Sequence, residues 1–398
     1  MNSRARHLMV AGAIDSVGLA FGWAVFNLIA VYKHGLAVTG LLNAAMFVGV
    51  ALSAPVAARL TSRLDGRRVL RVTAATEGLL RVATLALLYV NAPLVLLLVL
   101  VLVMNIAAWI GFAAMRVEVA AVEDRTSGMT HYLALTLGLE AVGTSFAGFL
   151  PISQHGRLAA GWLLAVVAVY ALSLLPTAIV AGGSRVRPRA AQRAGATRQD
   201  RVLMLSGALV MAVASGPTLL FVALAAKLHG RESVAGAAIA FAVGSLLAPM
   251  LTRRLERAGR AGGASWPIWC LGMVAGWAAA PWSLAGMWLA QLLSGLCLTG
   301  FQGSMDHTLA QGRTDGEATT VLAQGSAARA IGSAIAVRLV PAVSVAGALA
   351  VYAGVAGVVA LVAGVLLGAA VGDGPEEAHP GHLGAGPNAR RIPRDVGA

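Results

Sequence analysis

Apolar runs of roughly twenty residues recur along the whole 398-residue chain, with short polar breaks between them. A helix needs about 20 apolar residues to cross a hydrocarbon layer at about 1.5 Å per residue. Such runs lie near 8–31, 36–58, 72–91, 93–115, 131–151 and 158–181, then resume near 203–226, 233–251, 264–281, 284–305, 319–341 and 346–371. Charged residues make up 12% of the chain and hydrophobic ones 58%. A soluble domain carries about a quarter charged residues, and its surface has no place for so much apolar sequence. An all-α membrane protein with about twelve transmembrane helices is expected. The first run, Leu8 to Val31, is too long for the apolar core of a signal peptide and contains Asp15 and Gly22, so it reads as a span. Cys270 and Cys297 both fall in apolar runs and set up no disulfide framework.

The net charge of +13 sits in the breaks rather than along any helix or strand. No basic stripe interleaves with aromatics, which argues against nucleic-acid binding. With an even number of spans the two termini share a side. On that side stand Arg59, Arg63, Arg67, Arg68 and Arg71, then Arg116, Arg125, the arginines between Arg185 and Arg201, and Arg253, Arg254, Arg257, Arg260 and Arg313. The other side holds Lys33, Arg157, Lys227, Arg231 and Arg338. The positive-inside rule then places both termini in the cytoplasm of a multi-pass cell-membrane protein. The expected organisation is an N-terminal half over 1–181, a basic linker over 182–202 that suits anionic lipid headgroups, a C-terminal half over 203–371, and a disordered tail over 372–398. His379 and His382 in that tail lack a third fixed ligand, and no metal site is expected.

The halves echo each other. Leu60-Thr61-Ser62-Arg63-Leu64-Asp65 aligns with Leu251-Thr252-Arg253-Arg254-Leu255-Glu256, and Glu140-Ala141-Val142-Gly143-Thr144 aligns with Arg329-Ala330-Ile331-Gly332-Ser333. Lys33-His34-Gly35 is echoed by Lys227-Leu228-His229-Gly230, and these two lysines are the only ones in the chain. Near-constant offsets at equivalent places in a six-span half argue for duplication. Both halves then have the same orientation, a parallel repeat with a site expected between them near the midplane.

Six plus six spans, a basic central segment and an arginine-rich connection after the second span resemble the major facilitator superfamily. The loop signature of that family runs roughly Gly-x-x-x-Asp-Arg-x-Gly-Arg-Arg. Here the stretch Ala58-Arg59-Leu60-Thr61-Ser62-Arg63-Leu64-Asp65-Gly66-Arg67-Arg68 keeps Arg63 and the Arg67–Arg68 pair, puts Ser62 in the place of the acid, and has Asp65 or Gly66 at the glycine, depending on a one-residue slip. The resemblance covers about 8–371. It implies two six-helix repeats and alternating access, with Arg63, Asp65, Gly66, Arg67 and Arg68 in a conformational-switch loop whose usual charge relay lacks its acid. The antiporter signature of the family in the fifth span is not met, because Gly143-Thr144-Ser145-Phe146-Ala147-Gly148 has no proline.

Charges within spans each need a reason, since one at the bilayer centre costs about 3 kcal/mol or more. Asp15 shares a helical face with Ala11, Gly18 and Gly22, so this face meets protein or water rather than lipid. It reads either as a protonatable coupling group or as a packing acid bonded to backbone or to Asn43. Glu140 and Arg329 occupy equivalent places in the fifth and eleventh spans, each on a stripe of small residues. They either face one cavity from opposite halves or are satisfied within their own bundles. Glu77 and Arg81, four apart on the third span, read as a self-neutralising intrahelical pair. Asn27, Asn43, Asn105, Gln291 and Gln302 are polar groups within spans, available to a substrate or to interhelical hydrogen bonds. Trp266, Trp282 and Trp288 are candidate interfacial anchors.

No phosphate loop, nucleophile elbow or paired His/Cys spacing is present, so neither an enzyme nor a resident cofactor is expected. The expected function is secondary active transport of a small organic molecule by a monomer. Proton-coupled efflux is the favoured form, with Asp15 and Glu140 for protons and Asn27, Asn43, Asn105, Gln291 and Arg329 for substrate. Import of a small polar solute is the rival in the same class. A membrane enzyme built on Asp306 and His307, or a non-transporting scaffold, is the rival from another class.

Overall fold

The computed structural model describes residues 3–61, 63–122, 126–184, 197–258, 265–310, 315–343 and 346–372. Ser62, the middle of the expected linker, and the tail with His379 and His382 lie outside these residues. Described residues form helices α1 (Ser3–Thr61), α2 (Gly66–Tyr89), α3 (Leu94–Val122), α4 (Thr126–Gly148), α5 (Ala160–Leu172), α6 (Leu175–Val180) and α7 (Arg198–Ala214). They continue with α8 (Gly216–Leu219), α9 (Phe221–His229), α10 (Ser233–Arg257), α11 (Trp266–Ala275), α12 (Leu284–Ala310), α13 (Asp315–Leu339) and α14 (Ala346–Gly372).

These helices make the twelve expected spans once the merged and broken ones are counted. Helix α1 holds the first two spans, reversing at Gly35 with φ 77° and ψ 176°. Gly230, which closes α9, has φ 85° and ψ 162°, almost the same backbone at the equivalent turn of the second half. Only glycine adopts this region freely, which gives the His-Gly echo in the sequence a physical cause. The sixth span is α5 plus α6, broken before Pro176, and the seventh is α7 to α9, broken before Pro217. Proline at the second position of a new helix cannot continue the old one but starts the next without losing a bond. Helix α7 starts at Arg198, about a turn earlier than the apolar pattern suggested, because Thr197 and Asp200 form a capping box.

Among the described residues six helices, the first being the double-length α1, are long and apolar enough to cross a bilayer. Leu79, Leu164, Ile179 and Val351 stand exposed on the outer helices, where only lipid would make such surface favourable. The ninth span is short, and its three tryptophans, Trp266, Trp269 and Trp277, are all fully buried. Trp266 is therefore no interfacial anchor: its indole donates to Ser304 Oγ at 3.0 Å inside the second half. Trp282, by contrast, is exposed as expected. Below, the two faces are called the Lys33 end and the arginine-rich end.

Candidate functional site

The most connected polar group is Arg81 on α2, fully buried. Its Nε donates to Glu77 Oε1 at 2.9 Å, one turn away on the same helix, and its Nη2 also reaches that carboxylate. Nη2 donates to Asp15 Oδ1 at 2.8 Å, while Nη1 donates to the Tyr170 carbonyl at 2.9 Å and to Ser173 Oγ at 3.0 Å. The guanidinium also lies 5.1 Å from the centre of the Tyr170 ring. The pair expected to neutralise itself within one helix is thus a hub joining α1, α2 and α5. A guanidinium carries five donors, and one carboxylate four residues away leaves several unmet. The approach of α5 is possible because Gly18 and Gly22 present no side chain there: a methyl on Gly18 would strike Ser173, and one on Gly22 the Tyr170 ring. The small-residue face around Asp15 meets protein, and its acid pairs with Arg81 rather than with Asn43.

Beside this hub lies a narrow cleft with room for about one water-sized particle. Its lining is Gly12, Asp15, Ser16, Thr73, Ala74, Glu77, Gly111, Phe112, Met115, Leu174 and Thr177. Thr177 is buried, and its Oγ1 has no hydrogen-bond partner among the described residues.

Glu140 on α4 is half-buried and has no hydrogen bond or ion pair among the described residues. Asp15 is the charge within its electrostatic reach. Close packing of α4 on α1 brings this about, since Gly143 meets the backbone of Val17 and Phe21. Arg329 on α13 pairs within its own half, donating from Nη2 to Asp306 Oδ1 at 2.7 Å and to Ser326 Oγ at 3.3 Å, while its Nη1 has no partner among the described residues. Of the two arrangements open from sequence, the one in which each charge settles in its own bundle describes Arg329. No sequence pattern links Asp306 to Arg329, because the two are 23 residues apart on different helices. Buried Glu118, which Arg4 approaches at 3.5 Å at the arginine-rich end, likewise carries no signal in the sequence.

The polar candidates separate by their partners. Asn43 donates to Asn27 Oδ1 at 2.6 Å, and each amide also bonds the carbonyl one turn back. Asn105 bonds the Val101 carbonyl at 2.8 Å and backs onto Gly49 of the second span. These three amides brace the first, second and fourth spans. Gln291 differs: it is fully buried on α12, and both of its amide atoms lack a partner among the described residues. In the loop after the second span, Asp65 caps α2, accepting from the Arg68 amide at 2.7 Å, while Gly66 is buried and Arg63, Arg67 and Arg68 are exposed.

The halves are fastened to each other at the Lys33 end. Arg338 of α13 donates to the Ala37 carbonyl at 3.1 Å, and Arg231 before α10 donates to the Ile152 carbonyl at 2.9 Å. Gly40 seats the second span against Val337 and Pro341, and Gly148 seats α4 against Arg231 and Ala235. Lys33 itself ties the first half together, bonding the Tyr89 carbonyl and, at 3.3 Å, Asn91 Oδ1.

Solved structures of several transporters share this arrangement over nearly their whole length. A bacterial homologue of the iron transporter ferroportin in an outward-facing state matches at TM-score 0.63 and 15% identity, over 92% of this chain and 100% of that one. The nucleoside transporter NupG matches at TM-score 0.67 and 11% identity, over 92% and 99%. A bacterial homolog to the human lysosomal transporter Spinster, inward-facing and occupied, matches at TM-score 0.63 and 16% identity, over 92% and 95%. The fold is that of the major facilitator transporters. The expected all-helical architecture of two six-span repeats in a multi-pass membrane protein is the one observed. No family model and no curated protein matches the sequence.

Proposed function

We propose that the chain is a secondary active transporter that moves a small organic molecule by alternating access, coupled to protons and working as an efflux pump. The observation that carries the coupling reading is the placement of Glu140: a carboxylate within a span, without a bonding partner among the described residues, in reach of Asp15. A group so placed takes and releases a proton with small changes in its surroundings. The shared fold with three kinds of solute carrier supports transport itself. Arg329 Nη1 and the Gln291 amide keep unused hydrogen-bonding capacity and are the proposed substrate contacts in the second half. Asn27, Asn43 and Asn105 shape the first half around the cargo path. The positive-inside rule puts the Lys33 end, where Arg231 and Arg338 fasten the halves to each other, on the outer side.

Purified protein in proteoliposomes, with a pH-sensitive dye inside, tests this reading. Substrate-dependent proton movement is expected for the native chain, with candidates taken from a resistance and accumulation screen in a pump-deficient host with and without an uncoupler. Asp15→Asn and Glu140→Gln are each expected to abolish the pH dependence of transport. If both variants transport with unchanged pH dependence, the coupling assignment is wrong.

A further inference from the structure

The hub around Arg81 does not balance. Asp15 and Glu77 bring two negative charges and Arg81 one positive charge, so the ionised cluster has a net charge of −1 inside the first six spans. An uncompensated charge in such a place costs several kcal/mol and calls for a counter-charge. Arg81 engages one oxygen of each acid, Asp15 Oδ1 and Glu77 Oε1. The second oxygen of Glu77 faces Gly111, where a methyl would stand 4.0 Å from it and 3.2 Å from Thr73 Oγ1. Thr73 spends its proton on the Val69 carbonyl at 2.8 Å, leaving its oxygen free to accept. Across the cleft, Thr177 is 5% exposed and its Oγ1 has no hydrogen-bond partner among the described residues.

We propose that the cleft between Asp15, Glu77, Thr73 and Thr177 binds a sodium ion. The charged and hydroxyl-bearing side chains on the cleft, Asp15, Ser16, Thr73, Glu77 and Thr177, all offer oxygen, and Met115 is the one sulfur-bearing residue beside them, so the donor set suits a hard cation. A single positive charge neutralises the cluster, whereas a divalent ion overcompensates it. The cleft holds about one water-sized particle, so the ion sheds most of its water and takes the side-chain oxygens in exchange. The orphaned Thr177 hydroxyl gains a partner when the ion is present. This inference stands on binding alone and does not require that the chain move any cargo.

Equilibrium dialysis of the purified full-length chain in detergent with radioactive sodium tests it, at pH 8 and with potassium chloride holding ionic strength constant. Saturable binding of one sodium per chain is expected. Thr177→Val removes the unpartnered oxygen at nearly constant shape, and Gly111→Ala fills the space beside Glu77 without touching a charge. Each is expected to weaken sodium binding by about tenfold or more. The two substitutions lie on different helices, and thermal unfolding in potassium alone verifies that each variant is folded. Absence of saturable sodium binding by the native chain overturns the proposal, as does native-like binding in both folded variants. A chain that binds protons there but not sodium overturns it too. A failure to transport leaves the dialysis result standing.

Discussion

One carboxylate four residues from Arg81 cannot satisfy a guanidinium, and the remaining donors of Arg81 recruit groups 66, 89 and 92 residues away. The spacing of Glu77 and Arg81 was visible in the sequence. The contribution of Asp15 was not, because only the close crossing of α5 over Gly18 and Gly22 brings first, third and sixth spans to one point. Removing Arg81 strands two acids in a low-dielectric interior. Arg81→Met is expected to cost about 3–5 kcal/mol, the usual loss when one partner of a buried ion pair is deleted. Thermal unfolding in detergent measures this, and Arg81→Met combined with Asp15→Asn and Glu77→Gln is expected to recover much of the loss. A single variant as stable as the native chain would show that the hub carries no structural burden. For Arg329 the sequence left open a shared cavity with Glu140 or a partner in its own bundle, and the fold supplies Asp306 within the same half.

At the level of elements, the turns between paired spans were more legible than the helix interiors. Gly35 and Gly230 have the same positive-φ backbone, and nothing lies within 4 Å of a methyl built on either. A substitution there meets backbone strain without a clash. Gly35→Ala and Gly230→Ala are each expected to destabilise by about 1–3 kcal/mol, read as a lower melting temperature. Equal stability would mean the turn relaxes to another conformation. The ninth span was the hardest to read. Trp266 looks like an interfacial anchor by type and position, yet it is fully buried, as are Trp269 and Trp277. Each indole finds a hydroxyl acceptor, Ser304, Ser265, and Thr218 with Ser294. The serines that permit this are unremarkable in the sequence because serine at a helix–helix contact is common.

For the whole molecule, two charged side chains join the halves at one end, where they are placed to bias opening. Arg231 and Arg338 each donate to a backbone carbonyl of the opposite half at the Lys33 end. A bond from a charged donor is worth about 1.5–3 kcal/mol when shielded from water and about 0–1 kcal/mol when exposed, as at Arg338, so the two together are comparable to the gaps between conformers of a two-state protein. Arg231→Ala with Arg338→Ala is therefore expected to shift the population toward opening at that end. Spin labels on single cysteines introduced at both faces would report it as a longer distance at the Lys33 end and a shorter one at the arginine-rich end. The two native cysteines are buried and leave the label sites distinct. Unchanged distance distributions would relieve these two arginines of any gating role.

The sequence alone determined the number of spans, their duplication and the turns that pair them. In a bilayer each helix must satisfy its own backbone hydrogen bonds, so its length and apolarity are written locally. It also marked the buried charges Glu77, Arg81 and Arg329, since each is costly enough to stand out within an apolar run, though not Glu118 or Asp200 near the helix ends. What it left open is which charge meets which. Arg81 joins Asp15, Arg329 joins Asp306 and Glu140 stays without a bonding partner among the described residues because of how the helices cross. Those crossings are set by small residues spread over many spans, and only the assembled fold brings them into register.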